Sequence, residues 1–268
     1  DTVAPTVDSL TSSSHVAGVW TSNGTVDLAW SGTDATSSIV DFAINSVSQG
    51  TNTSGSATPG EGSHDFSAVA TDEAGNVSAA LDLSDIRIDT VAPSTVANFS
   101  SSTHVSGAWN ASSDVALDWD ASSDSHSGLD HYEIDGIDVG NNLAHTLSGL
   151  ADGQHSTSIV AVDAIGNSSN AVSISNILID TTPPDPIAGF SSSSHTSGVW
   201  SNDNTVDVSW DEGNDAASGV DHYELNGIDV GTQLALSPTL PEGLSDLDLV
   251  AVDRVGNVSD SVLITDLR

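Results

Sequence analysis

The segment Ile179-Asp180-Thr181-Thr182-Pro183-Pro184 indicates how the chain is organised, because closely related segments occur at two earlier positions. They are Ile88-Asp89-Thr90-Val91-Ala92-Pro93 and Asp1-Thr2-Val3-Ala4-Pro5. An interval of about 90 residues between copies is typical of an array of small domains. Each copy leads from an Asp to a Pro, whose fixed φ stiffens the connection. The sequence therefore predicts three domains, named here repeat 1 (residues 1–88), repeat 2 (residues 89–179) and repeat 3 (residues 180–268).

The similarity between the repeats extends beyond these junction segments. Each repeat has a His followed by a Trp, namely His15 and Trp20, His104 and Trp109, and His195 and Trp200. Each then has alternating apolar residues that end in a second Trp: Val26, Leu28, Trp30; Val115, Leu117, Trp119; Val206, Val208, Trp210. Alternation with a period of two indicates a strand with one buried face.

The second half of each repeat contains further strands. An aromatic strand comes first, with Phe42, Tyr132 or Tyr223, and a long strand later ends in Asp72, Asp163 or Asp253 before a Gly-Asn loop. Asp135-Gly136 and Asn226-Gly227 are preferred in tight hairpins, whereas Asn45-Ser46 predicts a looser hairpin in repeat 1. We expect additional strands within residues 143–150 and 234–240.

About seven short strands in each repeat, without helical periodicity, predict an antiparallel β-sandwich. The order of a strand ending in Trp, a strand with Tyr, and Val-Ala-Val-Asp-x-x-Gly-Asn resembles the fibronectin type III module. More narrowly, it resembles the tandem bacterial Ig-like and fibronectin-like repeats of secreted and cell-surface proteins. The resemblance covers all three repeats and implies an all-β chain of three tandem antiparallel β-sandwiches in an extended rod. The chain departs from the family in lacking a Tyr before the long strand, where His64, His155 and Ser245 lie.

The charge of the chain excludes several classes of partner. The formal net charge is −35, from 38 acidic and three basic residues, and Cys is absent. This charge repels phosphates and anionic lipids, so we expect no nucleic-acid partner. We also expect no membrane insertion, because no apolar run approaches the roughly 20 residues that a membrane-spanning helix needs. Most of the acidic residues are Asp, which suits turns and hard cations. A surface adapted to high salt is the alternative explanation. The tandem design and the richness in Asp, Ser, Thr and Gly favour a secreted or cell-surface location.

The resemblance also implies a metal site, because in a fibronectin-like sandwich the N-terminal entry and two loops share one end. That end would collect three acidic residues in each repeat: Asp1, Asp34 and Asp72; Asp89, Asp124 and Asp163; Asp180, Asp215 and Asp253. Carboxylates without a basic partner repel one another, and Ca²⁺, which takes about 6–8 oxygen ligands, relieves the repulsion. Further oxygens would come from Asn76, Asn167 and Asn257, or from Asp120 and Asp211. The alternative is that each Asp only caps its own turn.

No pattern typical of an enzyme occurs in the sequence. A Gly-x-Ser-x-Gly segment and a phosphate-binding loop are absent, and three copies of the same acids favour a repeated structural device over an active site. His15, His104 and His195 occur singly, which favours a role in turns or at the surface over a metal site.

The sequence therefore predicts a non-enzymatic extracellular structural protein, stiffened by Ca²⁺ at its junctions. It would be an adhesin stalk or the repeating unit of an extracellular filament. Its partners would be neighbouring repeats or further copies joined head to tail, since a copy of Asp1 after Arg268 would nearly preserve the period. The alternative is a set of carbohydrate-binding or spacer modules attached to a secreted hydrolase, with sugar rings stacked on Trp20, Trp109 and Trp200.

Overall fold

The computed structural model describes residues 1–268, whose regular secondary structure consists of 23 β-strands. It contains no helix that could span a membrane. The prediction of an all-β chain is confirmed.

Repeat 1 forms two sheets. Its strands are β1 (Thr6–Ser12), β2 (Trp20–Thr21), β3 (Val26–Thr33), β4 (Ile39–Ile44), β5 (Val47–Ser48), β6 (Ser54–Ala57), β7 (Gly62–Asp72) and β8 (Leu81–Ile88). One sheet has the order β1-β3-β6 and the other the order β2-β8-β7-β4-β5. All pairs are antiparallel except the short parallel contact of β2 with β8. Two packed antiparallel sheets of this kind make a β-sandwich.

Repeat 2 has the same succession of strands. They are β9 (Ala97–Ser101), β10 (Trp109–Asn110), β11 (Val115–Asp120), β12 (Leu129–Ile134), β13 (Ile137–Asp138), β14 (Ala144–Leu147), β15 (Gly153–Asp163) and β16 (Val172–Ile179). β12 pairs with β13 and β15, β11 pairs with β14, and β10 pairs in parallel with β16. These pairs correspond to those of repeat 1.

Repeat 3 has shorter strands. They are β17 (Ser191–Ser192), β18 (Val208–Ser209), β19 (Val220–Leu225), β20 (Ile228–Asp229), β21 (Ala235–Leu236), β22 (Ser245–Asp253) and β23 (Val262–Leu267). The sheets have the orders β17-β18-β21 and β20-β19-β22-β23. The predicted strand within residues 234–240 is reduced to β21, because Pro238 follows it and Pro lacks the N–H that a ladder needs.

The alternating residues of each repeat form its core. In repeat 1, Val26, Leu28 and Trp30 are buried among apolar side chains of both sheets. Val206, Val208 and Trp210 are equally buried in repeat 3, although only one of them lies within a strand. Val115, Leu117 and Trp119 are buried as well. The prediction that the Trp at the end of the alternation enters a sandwich core is confirmed.

The chain divides into two compact units. Unit 1 comprises Asp1–Ala97, Asp120–Asn142 and Ile159–Val172, and unit 2 comprises Asn98–Trp119, Leu143–Ser158 and Ser173–Arg268. The division passes through repeat 2. The domain boundaries at residues 88/89 and 179/180 therefore stay a prediction.

The hairpin of repeat 1 differs from its prediction. Asn45 and Ser46 have φ values of 48° and 66°, and Ile44 pairs with Val47 as Ile134 pairs with Ile137 in repeat 2. The Asn45 side chain holds the turn by donating to Asp65 O at 3.2 Å and accepting from Ser67 N at 2.8 Å. The expectation of a looser hairpin was wrong, because these bonds help to hold Ser46 at a positive φ that Gly adopts freely elsewhere.

Candidate metal sites at the repeat junctions

The aspartates that end the long strands are placed by β-sheet pairing. Asp72 pairs with Ile39, Asp163 with Leu129 and Asp253 with Val220, and each pair is followed by a register shift. A bulge of this kind bends a strand and redirects its side chains. As a result, the loop before β4, β12 or β19 lies beside the end of the long strand in all three repeats.

The structure brings the nine predicted aspartates together in three groups, which we call triads 1, 2 and 3. Their members are Asp1, Asp34 and Asp72; Asp89, Asp124 and Asp163; Asp180, Asp215 and Asp253. Within each triad, one carboxylate oxygen from every member lies within 4.8 Å of the others. Triads 1 and 2 belong to unit 1, and triad 3 belongs to unit 2. Asp120 and Asp211 do not join these groups.

Burial differs between the triads. Asp89 and Asp180, the junction members of triads 2 and 3, are 0% exposed, and Asp163 and Asp253 are 2% exposed. Asp1 is exposed, whereas Asp72 of the same triad is buried. Triads 2 and 3 therefore bury carboxylates that ordinarily require hydrogen bonds or a cation.

Backbone amides hold the junction members in place. Asp89 accepts hydrogen bonds from Val91 N at 3.1 Å and Ser127 N at 2.9 Å. Asp180 accepts the corresponding bonds from Thr182 N and Ser218 N. The junction is thus attached to the loop that carries the second Asp of its triad.

The second Asp of each triad also caps its own loop. Asp124 Oδ1 accepts from His126 N and Gly128 N, and Asp215 Oδ1 accepts from Ala217 N and Gly219 N. In triad 1, Asp34 Oδ1 accepts from Thr36 N, while its Oδ2 is buried and has no hydrogen-bond partner. Capping, the alternative role, therefore occupies one oxygen of these carboxylates and leaves the other available.

The recurring Asn residues differ from their expected role as oxygen ligands. The Asn167 amide nitrogen donates to Asp163 Oδ2 at 2.7 Å and to Asp89 O at 3.2 Å. Asn257 donates in the same way to Asp253 and Asp180, and Asn76 donates to Asp72 and to the backbone of Val3. The amide nitrogen is the atom that faces the triad, because the neighbouring carboxylate is an acceptor and needs a donor. Each Asn side chain thereby links the third Asp of its triad to the backbone of the junction.

The electrostatics keep several of these carboxylates ionised. Hydrogen bonds from the Ser37 and Thr36 amides lower the pKa of Asp34, and the Asn76 side chain lowers the pKa of Asp72. Burial acts to raise the pKa of Asp89, but hydrogen bonds from Ser127 and Val91 outweigh it, so the pKa is lowered. Ionised carboxylates are the form that binds hard cations.

No arginine neutralises a triad. Arg87 pairs with Asp85 at 2.7 Å and Arg268 pairs with Asp266 at 2.8 Å, while Arg254 forms no ion pair. The chain has no other basic residue apart from His. The donor set therefore fits a hard divalent cation such as Ca²⁺, whose binding stays a prediction.

Two residues that the sequence did not single out lie at the first junction. Glu61 accepts hydrogen bonds from the backbone N and the hydroxyl of Thr90. His126 lies with its Nδ1 3.9 Å from Asp89 Oδ1. The contact of Glu61 with Thr90 could have been found from the sequence because it recurs, since Asp152 bonds Thr181 in the same way. His126 does not recur, because Thr36 and Ala217 occupy its position in the other repeats.

The three recurring Trp residues have different surroundings. Trp20 is half-buried between Arg87, at 5.8 Å from its ring, and His126, whose ring centroid lies 6.1 Å away. Trp109 lines a cavity of about 290 Å³ together with Asp180, Pro183 and Ala217. Trp200 is 69% exposed, with Arg268 at 5.7 Å.

The single histidines support turns, as the sequence predicted. His15 and His104 are 6% exposed, and their Nε2 atoms bond Asn23 O and Ser112 O. His64 and His155, which stand near the corner where the family has a Tyr, bond the carbonyls of Gly60 and Ala151. In repeats 1 and 2, a histidine side chain thus makes a hydrogen bond to the backbone of the turn that precedes the long strand.

Comparisons with known proteins bear on the fold. The fibronectin(III)-like modules of Clostridium thermocellum CbhA match at 15% identity with a TM-score of 0.34, over 65% of this chain and 95% of theirs. The central fibronectin-III array of RIM-binding protein matches at 15% identity with a TM-score of 0.25, over 99% of this chain and 97% of its own. No protein-family model and no curated protein matches the sequence. The resemblance to fibronectin type III-like repeats is confirmed for the fold, and the pairing of the strands within repeat 1 agrees with it.

Proposed function

We propose that the chain is an extracellular structural or spacer protein in which Ca²⁺ fastens each junction to the repeat that follows. The observation that carries the proposal is the recurrence of one triad in all three repeats, with one member from the junction, one from a loop and one at the end of a long strand of the following repeat. Ca²⁺ prefers carboxylate and carbonyl oxygens, and it accepts irregular geometry more readily than Mg²⁺ does. An ion at each triad would replace repulsion between carboxylates with shared coordination.

This arrangement suits a load-bearing or distance-setting role. Asp89 follows β8 directly and Asp180 follows β16 directly, so an ion bound there would restrict the backbone between consecutive repeats. The surface would remain highly acidic, with few groups able to hold nucleic acid or anionic lipid. An adhesin stalk or the repeating unit of an extracellular filament is the role that we propose, with neighbouring repeats or further copies of the chain as partners.

Thermal unfolding with and without Ca²⁺ tests the metal at low ionic strength. A ligand present at about 100 times its Kd stabilises the native state by about 2.7 kcal/mol per site, so we expect a higher Tm with Ca²⁺ than with a chelator. Asp124→Asn combined with Asp215→Asn should remove most of the Ca²⁺-dependent shift. Asp82→Asn combined with Asp260→Asn makes the same charge change at exposed positions outside the triads and should retain the shift. An equal Tm with Ca²⁺ and with chelator would contradict the proposal.

A second candidate function is carbohydrate binding at the end of repeat 3. Trp200 is exposed beside a cavity of about 510 Å³ that His195, Glu242 and Arg268 also line. An exposed indole with polar neighbours suits stacking on a sugar ring. Affinity for a glycan that is lost in Trp200→Ala and kept in Trp109→Ala would support this function, and no binding across a broad glycan panel would remove it.

A further inference from the structure

Glu61, Asp89 and His126 form a second cluster of ligand-type side chains, which lies within unit 1. Glu61 directly precedes β7, Asp89 follows β8, and His126 lies in the loop before β12. One ligand atom of each residue lies within 4.8 Å of the other two. The cluster therefore draws its members from repeat 1, the junction and repeat 2.

Hydrogen bonds hold the carboxylates of Glu61 and Asp89 in place but leave some of their acceptor sites unused. Glu61 accepts from Thr90 N at 2.8 Å and from the Thr90 hydroxyl. Asp89 accepts one hydrogen bond on each oxygen, from Val91 N and Ser127 N. An ionised carboxylate has about four acceptor sites, so each group still has a lone pair on either oxygen.

The imidazole of His126 has one hydrogen bond and one free nitrogen. Its Nδ1 is hydrogen-bonded to Ser125 Oγ at 3.2 Å and lies 3.9 Å from Asp89 Oδ1, which is beyond hydrogen-bonding distance, and its Nε2 has no hydrogen bond. The Trp20 ring closes one side of the cluster at 6.1 Å from the imidazole. A partly enclosed imidazole facing two carboxylates is a donor set suited to a metal.

The donor chemistry distinguishes this cluster from the all-carboxylate triads. Imidazole nitrogen suits Zn²⁺, Cu²⁺ and Ni²⁺, whereas Ca²⁺ and Mg²⁺ take oxygen ligands. Zinc bonds to nitrogen and carboxylate oxygen measure about 2.0–2.2 Å, so donors around a tetrahedral ion lie about 3.3–3.6 Å apart. The three ligand atoms lie within 4.8 Å of one another, so binding requires each pair to approach by at most about 1.5 Å.

We propose that Glu61, Asp89 and His126 bind a divalent transition metal, with Zn²⁺ as the representative ion, across the junction of repeats 1 and 2. Asp89 belongs to this cluster and to triad 2, so Glu61, Asp89, Asp124 and Asp163 together would balance the charge of two divalent ions. The site is specific to this junction, because Ala217 stands in repeat 3 where His126 stands in repeat 2. It goes beyond the Ca²⁺ function and does not require it.

Calorimetric titration of the 268-residue chain with Zn²⁺, once with saturating Ca²⁺ and once with Ca²⁺ removed, tests the site. Loss of even a residue that supports a metal ligand commonly weakens binding by about 10–100-fold, so we expect His126→Asn to weaken the tightest Zn²⁺ site at least tenfold. Glu61→Gln keeps an acceptor for Thr90 while removing the charge, and it should weaken the same site. Co²⁺ absorption provides a second readout, because four-coordinate Co²⁺ has much stronger visible d–d bands than aqueous Co²⁺, and His126→Asn should weaken these bands.

His131→Asn is the matched control, since His131 also lies between two carboxylates, those of Asp130 and Glu133. The tight Zn²⁺ site should survive in this variant. The proposal is overturned if Zn²⁺ affinity changes less than twofold in His126→Asn, or if His131→Asn loses as much. A Ca²⁺ effect that is absent while Zn²⁺ still binds would refute only the Ca²⁺ function, so the two failures are distinguishable.

Discussion

Among single residues, the buried tyrosines connect the sandwich core to the loop that carries the second Asp of a triad. Tyr223 is 2% exposed, and its hydroxyl accepts a hydrogen bond from Gly213 N at 2.7 Å. Tyr132 accepts the same bond from Ser122 N, whereas repeat 1 has Phe42 at this position. The hydroxyl therefore fixes the start of the loop in repeats 2 and 3 only.

Tyr223→Phe removes this acceptor and leaves Gly213 N without its partner. A lost hydrogen bond of this kind costs about 1 kcal/mol, so we expect repeat 3 to unfold at lower urea and the Gly213 amide to exchange faster. Ser9→Ala, which removes only an exposed bond to Ser31, serves as the control and should change stability by less than about 0.5 kcal/mol. Equal effects of the two substitutions would contradict the role of the Tyr hydroxyl.

His222 gives the stability of repeat 3 a predictable dependence on pH. Hydrogen bonding to Asp221, helped by Asp229 and Glu224, raises its pKa above the ordinary value of 6.5. Because the folded pKa exceeds the unfolded one, the stabilisation is fully present below the unfolded pKa and is lost as pH rises through the folded pKa.

His222→Gln should therefore destabilise repeat 3 more at pH 6 than at pH 8. Urea unfolding of both proteins at the two pH values measures the difference, and NMR titration of the His222 ring measures the pKa itself. Repeat 1 has Asp41 at this position and should show no matching change. A penalty that is independent of pH would mean that His222 acts through packing alone.

The positions of the nine aspartates were predictable because they recur in every repeat and because sandwich topology brings separated loops together. The orientation of the Asn76, Asn167 and Asn257 side chains was not predictable, since an amide can offer either its oxygen or its nitrogen to a neighbour. His126 was missed for a different reason: it occurs in one repeat only, so recurrence gave no signal. The role that we propose for it depends on its proximity to Glu61 and Asp89, which lie far from it in the sequence.

Among the elements, the hairpin between β4 and β5 provides a test of backbone strain. Ser46 has a φ of 66°, a region that disfavours L-residues by about 1–2 kcal/mol, while Gly136 and Gly227 occupy the corresponding positions at 77° and 73°. Ser46→Gly should stabilise repeat 1, with part of the gain offset by the greater freedom of Gly in the unfolded chain.

The reverse substitution is the control. A Cβ added at Gly136 would meet no atom within 4 Å, so Gly136→Ser should destabilise through φ alone, by about 1 kcal/mol. Urea unfolding of both variants measures the two effects. Changes of the same sign would show that side-chain contacts, rather than φ, determine the stability of this turn.

The alternation of apolar residues predicted where strands occur, but it did not predict how long they are. Val206, Val208 and Trp210 follow the same pattern as their counterparts and are buried, yet of the three only Val208 lies in a strand, the short β18. Pro238 and Pro241 both follow the partner strand β21 and cannot donate ladder hydrogen bonds, so the continuous pairing does not extend beyond it. The bulges beside Asp72, Asp163 and Asp253 were equally hidden, since nothing in the local sequence marks an extra residue.

For the whole molecule, a net charge of −35 raises the question of whether cations act at sites or through screening alone. The Debye length is about 10 Å at 0.1 M salt, so monovalent ions weaken repulsion between exposed charges without any ordered site. A surface adapted to high salt would therefore be stabilised by NaCl, and Ca²⁺ would act only through its contribution to ionic strength. Ordered triads would respond to Ca²⁺ far below the concentration at which screening matters.

Small-angle scattering separates these two explanations at the level of the full chain. If ions at triads 2 and 3 restrict the junctions, adding millimolar Ca²⁺ to chelated protein in 0.15 M NaCl should narrow the distribution of distances within the molecule. Asp89→Asn combined with Asp180→Asn should abolish the response, because both junction carboxylates lie at 0% exposure inside their triads. Asp82→Asn combined with Asp260→Asn should respond as the unmodified chain does. A response reproduced by raising NaCl alone, or kept when Asp89 and Asp180 are both replaced, would favour screening over binding at the junctions.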